Sequence, residues 1–400
     1  MDINIELKRF PQNQELQTQL ETAARRAIQA AFTEFANTEV AGTIDARLAT
    51  SEDEPEIRKL FEKYPMSLPG FNLVYDRSPD FFSLLRARGE AHVAVTGGLK
   101  GSKELLGLGA VSVREGYIAG SRTRVAYLGD LRVIPNRKTF RLWRTIYSRL
   151  IEEISRDLGV ETFLTAILGD NALALRSLVE RRNSDFLYES IGQVRMINLL
   201  GSWAPLPESG KIKDAGLQAF WKDESAYRDF SAAQASRMRH GYTQPLESGL
   251  PLVIKDRAGD VQLGVRLVSP DSMKRMWLSD ASGVMRAVMK LAGVGKESAL
   301  STVYMSGLIF RSEASAVQRR LALMAAIEAC YSEPIKSLLR KRTMLVVPDS
   351  VGLGFRDLRG RVSATTRVQI FEVRSRNFTP SLDPAALINI QNVGFEMALV

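Results

Sequence analysis

Apolar residues recur at three- and four-residue spacing early in the chain, at Leu16, Leu20, Ala23, Ala24, Ala27, Ala31, Phe32 and Phe35. This spacing predicts an amphipathic helix ending near Asn37, its apolar face laid on a neighbouring domain. An extended segment, residues 43–49, then meets Thr50 or Ser51 as a helix cap. Acidic residues in the first turn and an apolar face of Ile57, Leu60, Phe61 and Tyr64 complete a strand followed by a helix. Residues 91–95 and 105–113 flank a turn rich in glycine and lysine (97–103) and predict a β-hairpin. A strand over 124–134 stops at Pro135. The helix after it, from about Thr139, turns Leu142, Ile146, Leu150, Ile151, Ile154 and Leu158 inward and has Gly159 at its C-cap. Residues 163–168 read as a short buried strand, 171–181 as a helix and 194–200 as a closing strand, giving the order β, α, β, β, β, α, β, α, β.

Residues 201–216 hold prolines, glycines and polar residues without periodicity and read as a linker. Beyond it the same kinds of element return. A helical stretch over 218–238 precedes strands at 252–256, 261–268 and 301–310, a helix over 314–331, strands at 344–348 and 368–373, and a terminal run at 394–400. Laying the second half on the first superposes Tyr127 on Tyr304, Leu131 on Leu308 and Ile146 on Leu323, an offset of 177 residues. Element order repeats better than residue identity, and the chain reads as a duplication. Its expected parts are a helical extension (1–42), a first domain (43–200), a linker (201–216) and a second, degenerate domain (217–400).

Composition changes this picture little. With 400 residues, 45% hydrophobic and 25% charged, the chain suits two or three globular domains and excludes disordered, collagen-like and coiled-coil classes. A net charge of +9 suits an anionic partner without choosing one. The single cysteine, Cys330, excludes a disulfide framework or a cysteine zinc site, and two histidines are too few for a histidine-rich centre. No metal is expected. His92 reads as a strand histidine with its ring satisfied, His240 as a surface or helix-end residue, and Cys330, Trp143 and Tyr147 as packing residues. The basic run 336–342 lacks stacking aromatics, so specific nucleic-acid binding is not expected. Without a leader-like start or 18 consecutive apolar residues, the expectation is a cytoplasmic protein with no membrane span.

Several motifs in the first half resemble the Gcn5-related N-acetyltransferase (GNAT) superfamily. Arg47, Ala49, Thr50, Asp53, Ile57 and Leu60 match its opening R-x-A-T-x-x-D-x-x-x-I-x-x-L. Leu131, Val133 and Pro135 match the donor-binding L-x-V-x-P, followed by a basic loop and a long helix. Asn171, Ala174 and Leu178 resemble the later N-x-x-A-x-x-L-Y segment. The resemblance covers about residues 43–200, and the second half shares only element order. It implies an α+β fold of two fused GNAT-like domains, each with a mixed, largely antiparallel central sheet and helices on both faces. It also implies acyl transfer from an acyl-coenzyme A thioester, with acetyl-CoA the first expectation, to an amine of a small molecule or peptide.

In that frame Leu131, Arg132 and Val133 would pair with the donor's pantetheine amides. Arg137, Lys138, Thr139, Phe140, Arg141 and Leu142, in the loop 136–142, would hold its diphosphate, and Asn171 would also line the donor site. Family members usually carry R-G-x-G-x-G in that loop, whereas this chain has Lys138, then Thr139, Arg141 and Trp143 at the glycine positions. The usual glutamate base falls at Gly129 and the usual tyrosine acid at Leu178. Asp130, which strand alternation turns to the opposite face from Gly129, and Tyr127 and Tyr188 are therefore the catalytic candidates. Two alternatives stand beside this reading: a long-chain N-acyltransferase using acyl carrier protein as donor, and a non-catalytic GNAT-like binding protein.

Overall fold

A computed structural model describes residues 5–36, 42–63, 66–68, 71–77, 79–118, 121–134, 137–180, 186–201, 204–235, 240–241, 248–279, 283, 300–332, 335–336, 339 and 343–375. The expected terminal run at 394–400 and most of the basic run 336–342 lie outside them.

Helix α1 (Gln14–Glu34) starts at Asn13, whose side chain accepts the Leu16 N–H at 3.1 Å. Its buried stripe of Leu20, Ala23, Ala27 and Ala31 lies on α4 (Arg137–Leu158) and β4 (Ala91–Leu99), so it packs within the first half rather than on a neighbouring domain. After β1 (Ile44–Leu48), Arg47 pairs bidentately with Asp53, and Asp53 accepts the Thr50 N–H at 2.8 Å. The residues of the opening motif thus cap the entry to α2 (Glu54–Lys63). Three elements follow that the sequence pattern does not announce: β2 (Met66–Leu68), β3 (Phe71–Asp76) and α3 (Phe81–Arg88). The strands are short and separated by Pro69 and Gly70. Helix α3 buries Phe81, Ser83, Leu84, Leu85, Ala87 and Arg88, which erases amphipathic periodicity.

The first half continues with β5 (Leu105–Ile118), β6 (Ser121–Val133), α4, β7 (Thr162–Leu168) and β8 (Phe186–Leu200). The helix expected at 171–181 is a single turn, α5 (Ala172–Ala174), running into a π turn over Leu175–Val179. Within the expected linker, α6 (Ser209–Asp214) forms, and Leu206 and Ile212 enter the second core. The stretch expected to be one helix divides into β9 (Gln218–Trp221) and α7 (Glu224–Ala235). His240 lies on the two-residue strand β10 (His240–Gly241), which pairs with the end of β5. Next come β11 (Leu250–Lys255), β12 (Val261–Val268), β13 (Arg275–Ser279), β14 (Ser301–Phe310), α8 (Ala316–Cys330), β15 (Thr343–Asp349) and β16 (Val362–Ser375). Cys330 is fully buried in the second core.

Twelve strands form one continuous path, β1-β4-β5-β6-β7-β16-β8-β15-β14-β12-β11-β9, with β10 attached at β5. The order is symmetric about the β16/β8 pair. The two halves of the duplication exchange their last strands: β16 enters between β7 and β8, while β8 lies against β15. Parallel pairs β6/β7 and β14/β15 occupy equivalent places. Helices α1 and α4 cover one face of the first half, and α2 and α3 the other. A central core containing Tyr127, Leu164, Met196, Val268, Tyr304, Val346 and Ile370 joins the halves.

Candidate active site

Strands β6 and β7 pair only where Val125, Ala126 and Tyr127 face Thr162, Phe163 and Leu164. Beyond Tyr127 they separate, and the Thr165 hydroxyl donates to the Leu128 carbonyl at 2.8 Å. A bulge marks the parting. The β5/β6 register slips between Leu108 and Ala110, and Asp130 sits at φ +53°. Left-handed backbone costs an ordinary L-residue on the order of 1–2 kcal/mol, so this conformation needs support.

Two guanidiniums supply it. The buried Asp130 carboxylate pairs with Arg77, just past β3, and with Arg88, at the end of α3. The Arg88 guanidinium also lies 5.3 Å from the Tyr127 ring centroid. Burial alone would push the Asp130 carboxyl up, but Arg77 and Arg88, with Arg132 beyond, hold it well below the usual carboxylate range. It is a charged anchor and a weak base. Lys274, from the connection between β12 and β13, is buried against the same cluster. Burial first, then Arg77 and Arg88, drive its ammonium pKa well down, against the pull of Asp130.

A Cβ at Gly129 would stand 2.8 Å from the Tyr127 ring and 3.1 Å from an Arg88 nitrogen. The place of the usual glutamate is therefore filled by Tyr127 and Arg88. The same Arg88 nitrogen, Nη1, reaches Asp130. The left-handed residue breaks strand alternation, so Asp130 does not turn to the face opposite Gly129 as expected. Tyr127 and Asp130 are brought together around Arg88. Tyr188 is elsewhere: it lies on β8 opposite Val373 and packs against the core beneath α1 and α4, its buried hydroxyl without a hydrogen-bond partner among the described residues. Burial raises its phenol and that of Tyr147 above their ordinary values, so both stay protonated.

Past the bulge, Arg132 and Val133 pair with Leu108 and Gly107 of β5, while the other edge of residues 131–133 faces the gap toward β7. Of the expected loop 136–142, residues 137–142 are instead the first turns of α4, which begins at Arg137. The side chains of Arg137 and Lys138 lie outside the described residues. Thr139 is buried, its hydroxyl without a hydrogen-bond partner among the described residues. Phe140 is half-buried, Arg141 is exposed with its guanidinium 5.3 Å from the Phe35 ring, and Leu142 and Trp143 are core residues. Where the family resemblance implies a glycine loop, this chain forms a helix whose inward positions include Thr139 and Trp143. The Asn171 side chain accepts the Ala174 N–H at 3.1 Å and caps α5.

The second half repeats the bulge and closes it. Strands β14 and β15 pair from Ser301 to Tyr304 and then stop. The β12/β14 register slips between Gly264 and Arg266, and Gly307, 177 residues after Asp130, has φ +58°. Glycine adopts this without a supporting cluster. Tyr227 of α7 donates to the Gly307 carbonyl at 3.2 Å, and a Cβ at Gly307 would be 2.6 Å from its oxygen. Arg311, where the second half would meet a donor's phosphates, is paired with Asp260 at 2.8 Å and with Glu313 at 3.7 Å.

Sequence reasoning missed Arg77, Arg88 and Lys274, because it looked for acids and phenols. The signal was Arg88 closing the segment 81–88, whose other polar residues are Ser83 and Arg86. Among the described residues no group of three His, Cys, Asp or Glu can hold a metal ion, and no helix is long and apolar enough to cross a membrane.

Two parallel strands that part at a bulge, with a long helix rising directly after one of them, define the frame of the N-acetyltransferase fold. The chain carries that GNAT fold. The GCN5-related glucosamine N-acetyltransferase region of a fungal multi-domain GH3 β-N-acetylglucosaminidase aligns with a TM-score of 0.52 and 13% identity, over 82% of this chain and 38% of that one. Saccharomyces cerevisiae N-myristoyltransferase with bound myristoyl-CoA aligns over 89% and 85% of the two chains, at 12% identity and a TM-score of 0.48. A GCN5-related N-acetyltransferase from Anabaena variabilis aligns over 82% and 72%, at 12% identity and a TM-score of 0.41. No protein-family model matches the sequence, and no curated protein matches it.

Proposed function

We propose that the chain is an N-acyltransferase that moves an acyl group from a coenzyme A thioester, acetyl-CoA first among them, to an amine. The observation that carries this is the asymmetry between the halves: the bulge at Asp130 borders a strand gap, whereas its counterpart at Gly307 is stoppered by Tyr227. In the first half the unpaired edge of residues 131–133 offers N–H and C=O groups to the two pantetheine amides as a pseudo-strand. The N–H groups in the first turn of α4 have no intrahelical acceptors and suit a diphosphate. Backbone N–H groups at the bulge polarise the thioester carbonyl. A neutral amine then attacks the carbonyl carbon, the C–N bond forms as the C–S bond breaks, and the amine's proton leaves with the thiolate as free thiol. Asp130, held ionised by Arg77 and Arg88, is assigned to holding the bulge rather than to proton transfer. The single cysteine, which can form no disulfide within the chain, fits a cytoplasmic setting.

One observation favours a second reading: buried Thr139 and Trp143 stand at the positions expected to be glycine, so side chains there limit how closely backbone can wrap a diphosphate, which leaves room for a donor without a nucleotide, such as acyl carrier protein. A thermal-shift panel of acetyl-CoA, longer acyl-CoA species and acyl carrier protein separates the two. A ligand at 100 times its Kd stabilises by about 2.7 kcal/mol. Stabilisation by acyl-CoA supports the first reading, and stabilisation by the carrier alone supports the second. No response to any donor contradicts both.

A further inference from the structure

Arg361, one residue before β16, is only 4% exposed, yet no carboxylate among the described residues lies within ion-pair reach of it. Its one hydrogen bond is long: Nη1 donates to the Ala204 carbonyl at 3.5 Å. The buried Nε has no partner, and Nη2 donates to no described residue. Glu328, the acid whose charge acts on it, accepts instead from the Ser209 hydroxyl at 2.7 Å. The guanidinium lies 4.9 Å from the centroid of the Tyr331 ring, and the Tyr331 hydroxyl is itself buried without a hydrogen-bond partner among the described residues. Gly360, at φ +87°, fixes the approach of this turn, since a Cβ there would stand 2.9 Å from that of Ala204.

Tyr331 ends α8, so the plain alternative is that Arg361 caps the helix C-terminus. The bonds exclude it. The Glu328 carbonyl accepts from the Tyr331 N–H and the Ser332 hydroxyl, and the Ala329 carbonyl from the Ser332 N–H. Arg361 donates to neither. In the first half, by contrast, Arg124 does cap α4, donating to the Leu158 carbonyl at 2.9 Å.

What remains open on Arg361 is the Nε–Nη2 edge. Elsewhere in this chain that edge takes a carboxylate: Arg374 holds Glu372 through it at 2.9 and 3.1 Å, and Arg195 holds Asp349 through the same two nitrogens. Burial pushes the Arg361 pKa down, against the pull of Tyr331 and Glu328, as expected of a guanidinium taken from water without a counter-charge. One guanidinium balances one negative charge, which favours a carboxylate over a phosphate dianion.

We propose that the open edge of Arg361 and the Tyr331 hydroxyl bind a small monocarboxylate from solution. The site belongs to the second half and stands independently of the acyl-transfer reading.

The test follows the thermal midpoint of the intact chain in acetate, in chloride at the same ionic strength, and in acetamide, the neutral isostere. Acetate raises the midpoint saturably, and chloride and acetamide do not. Tyr331→Phe weakens acetate binding about 3- to 10-fold, the loss of one neutral hydrogen bond. Arg361→Met, which keeps an apolar stem, abolishes the response. Without acetate it melts no lower than wild type, because it removes a buried charge that lacks a partner. No response to acetate, the same response in Arg361→Met, unchanged acetate affinity in Tyr331→Phe, or an acetamide effect equal to that of acetate overturns the proposal. So does an Arg361→Met midpoint well below wild type without acetate, which would mean that the guanidinium already has its counter-charge within the chain. A phosphate response larger than that of acetate, and lost in Arg361→Met, overturns the carboxylate assignment.

Discussion

Replacing Asp130 separates two costs that its position combines. The carboxylate is the shared counter-charge of two guanidiniums, Arg77 and Arg88, that are only 6% and 3% exposed. Removing one partner of a buried ion pair typically costs about 3–5 kcal/mol, because the remaining charge stays buried without compensation. Asparagine keeps the shape and tolerates left-handed backbone, so Asp130→Asn loses that amount and little more. Asp130→Ala also meets the left-handed penalty, about 1 kcal/mol or more, which Asp130→Gly escapes as Gly307 does in the second half. Urea unfolding followed by tryptophan fluorescence should therefore rank wild type well above all three variants, with alanine below glycine. The pH dependence has a fixed sign. The folded pKa of Asp130 lies below its unfolded value of about 3.9, so its contribution is complete above that pH and is lost as pH falls through the folded value. The gap between wild type and Asp130→Asn should stay constant from pH 7 to 5 and begin to narrow only below about 4. An Asp130→Asn protein within 1 kcal/mol of wild type at pH 7, or alanine as stable as glycine, would falsify the anchored-bulge account.

Three further outcomes can be measured. Lys138→Glu and Arg137→Glu should weaken acyl-CoA by about 10- to 100-fold in calorimetry, whereas Arg311→Glu, whose native guanidinium is already paired with Asp260 and Glu313, should leave it nearly unchanged. Gly307→Ala should lower the thermal midpoint, since its methyl meets both a left-handed φ and the Tyr227 oxygen; an unchanged midpoint would mean that the stopper is loose. His92, expected to have its ring satisfied, instead has a buried Nδ1 with no hydrogen-bond partner among the described residues; burial and then Arg86 push its pKa down to about 4, against Glu21 and Asp80. The unfolded chain takes up that proton near 6.5, so stability should fall by up to about 3 kcal/mol from pH 6.5 to 4, and His92→Phe should flatten the slope.

Much of the fold was legible because its long elements carry clean periods. The stripe from Leu142 to Leu158 and the alternation in β5 and β12 announce themselves, and the 177-residue offset drawn from Tyr127 and Tyr304 carries on to Asp130 and Gly307. The strand exchange was not legible. Val194 to Leu200 reads as a closing strand, and no local pattern says that β16, arriving from the far end of the chain, will enter before it. At the site, the splay was implied by Leu131, Val133 and Pro135, but the bulge reversed the alternation argument for Asp130. Its partners Arg77 and Arg88 lie 53 and 42 residues away, a pairing that only tertiary structure makes visible. The glycine-poor segment after β6 read as a loop because Pro135 stops the strand. Thr139 and Trp143 instead share the inward face of α4 with Leu142 and Ile146, and the helix begins at Arg137.

The most direct test of the account is hydrogen–deuterium exchange on the intact chain with and without saturating acyl-CoA, comparing equivalent segments of the two halves. Donor binding in the first-half gap should slow exchange in peptides covering residues 128–142 and leave those covering 305–317 unchanged. Protection confined to 305–317 would place the donor in the half that Tyr227 closes, and protection in neither segment at saturating acyl-CoA would contradict the donor site itself.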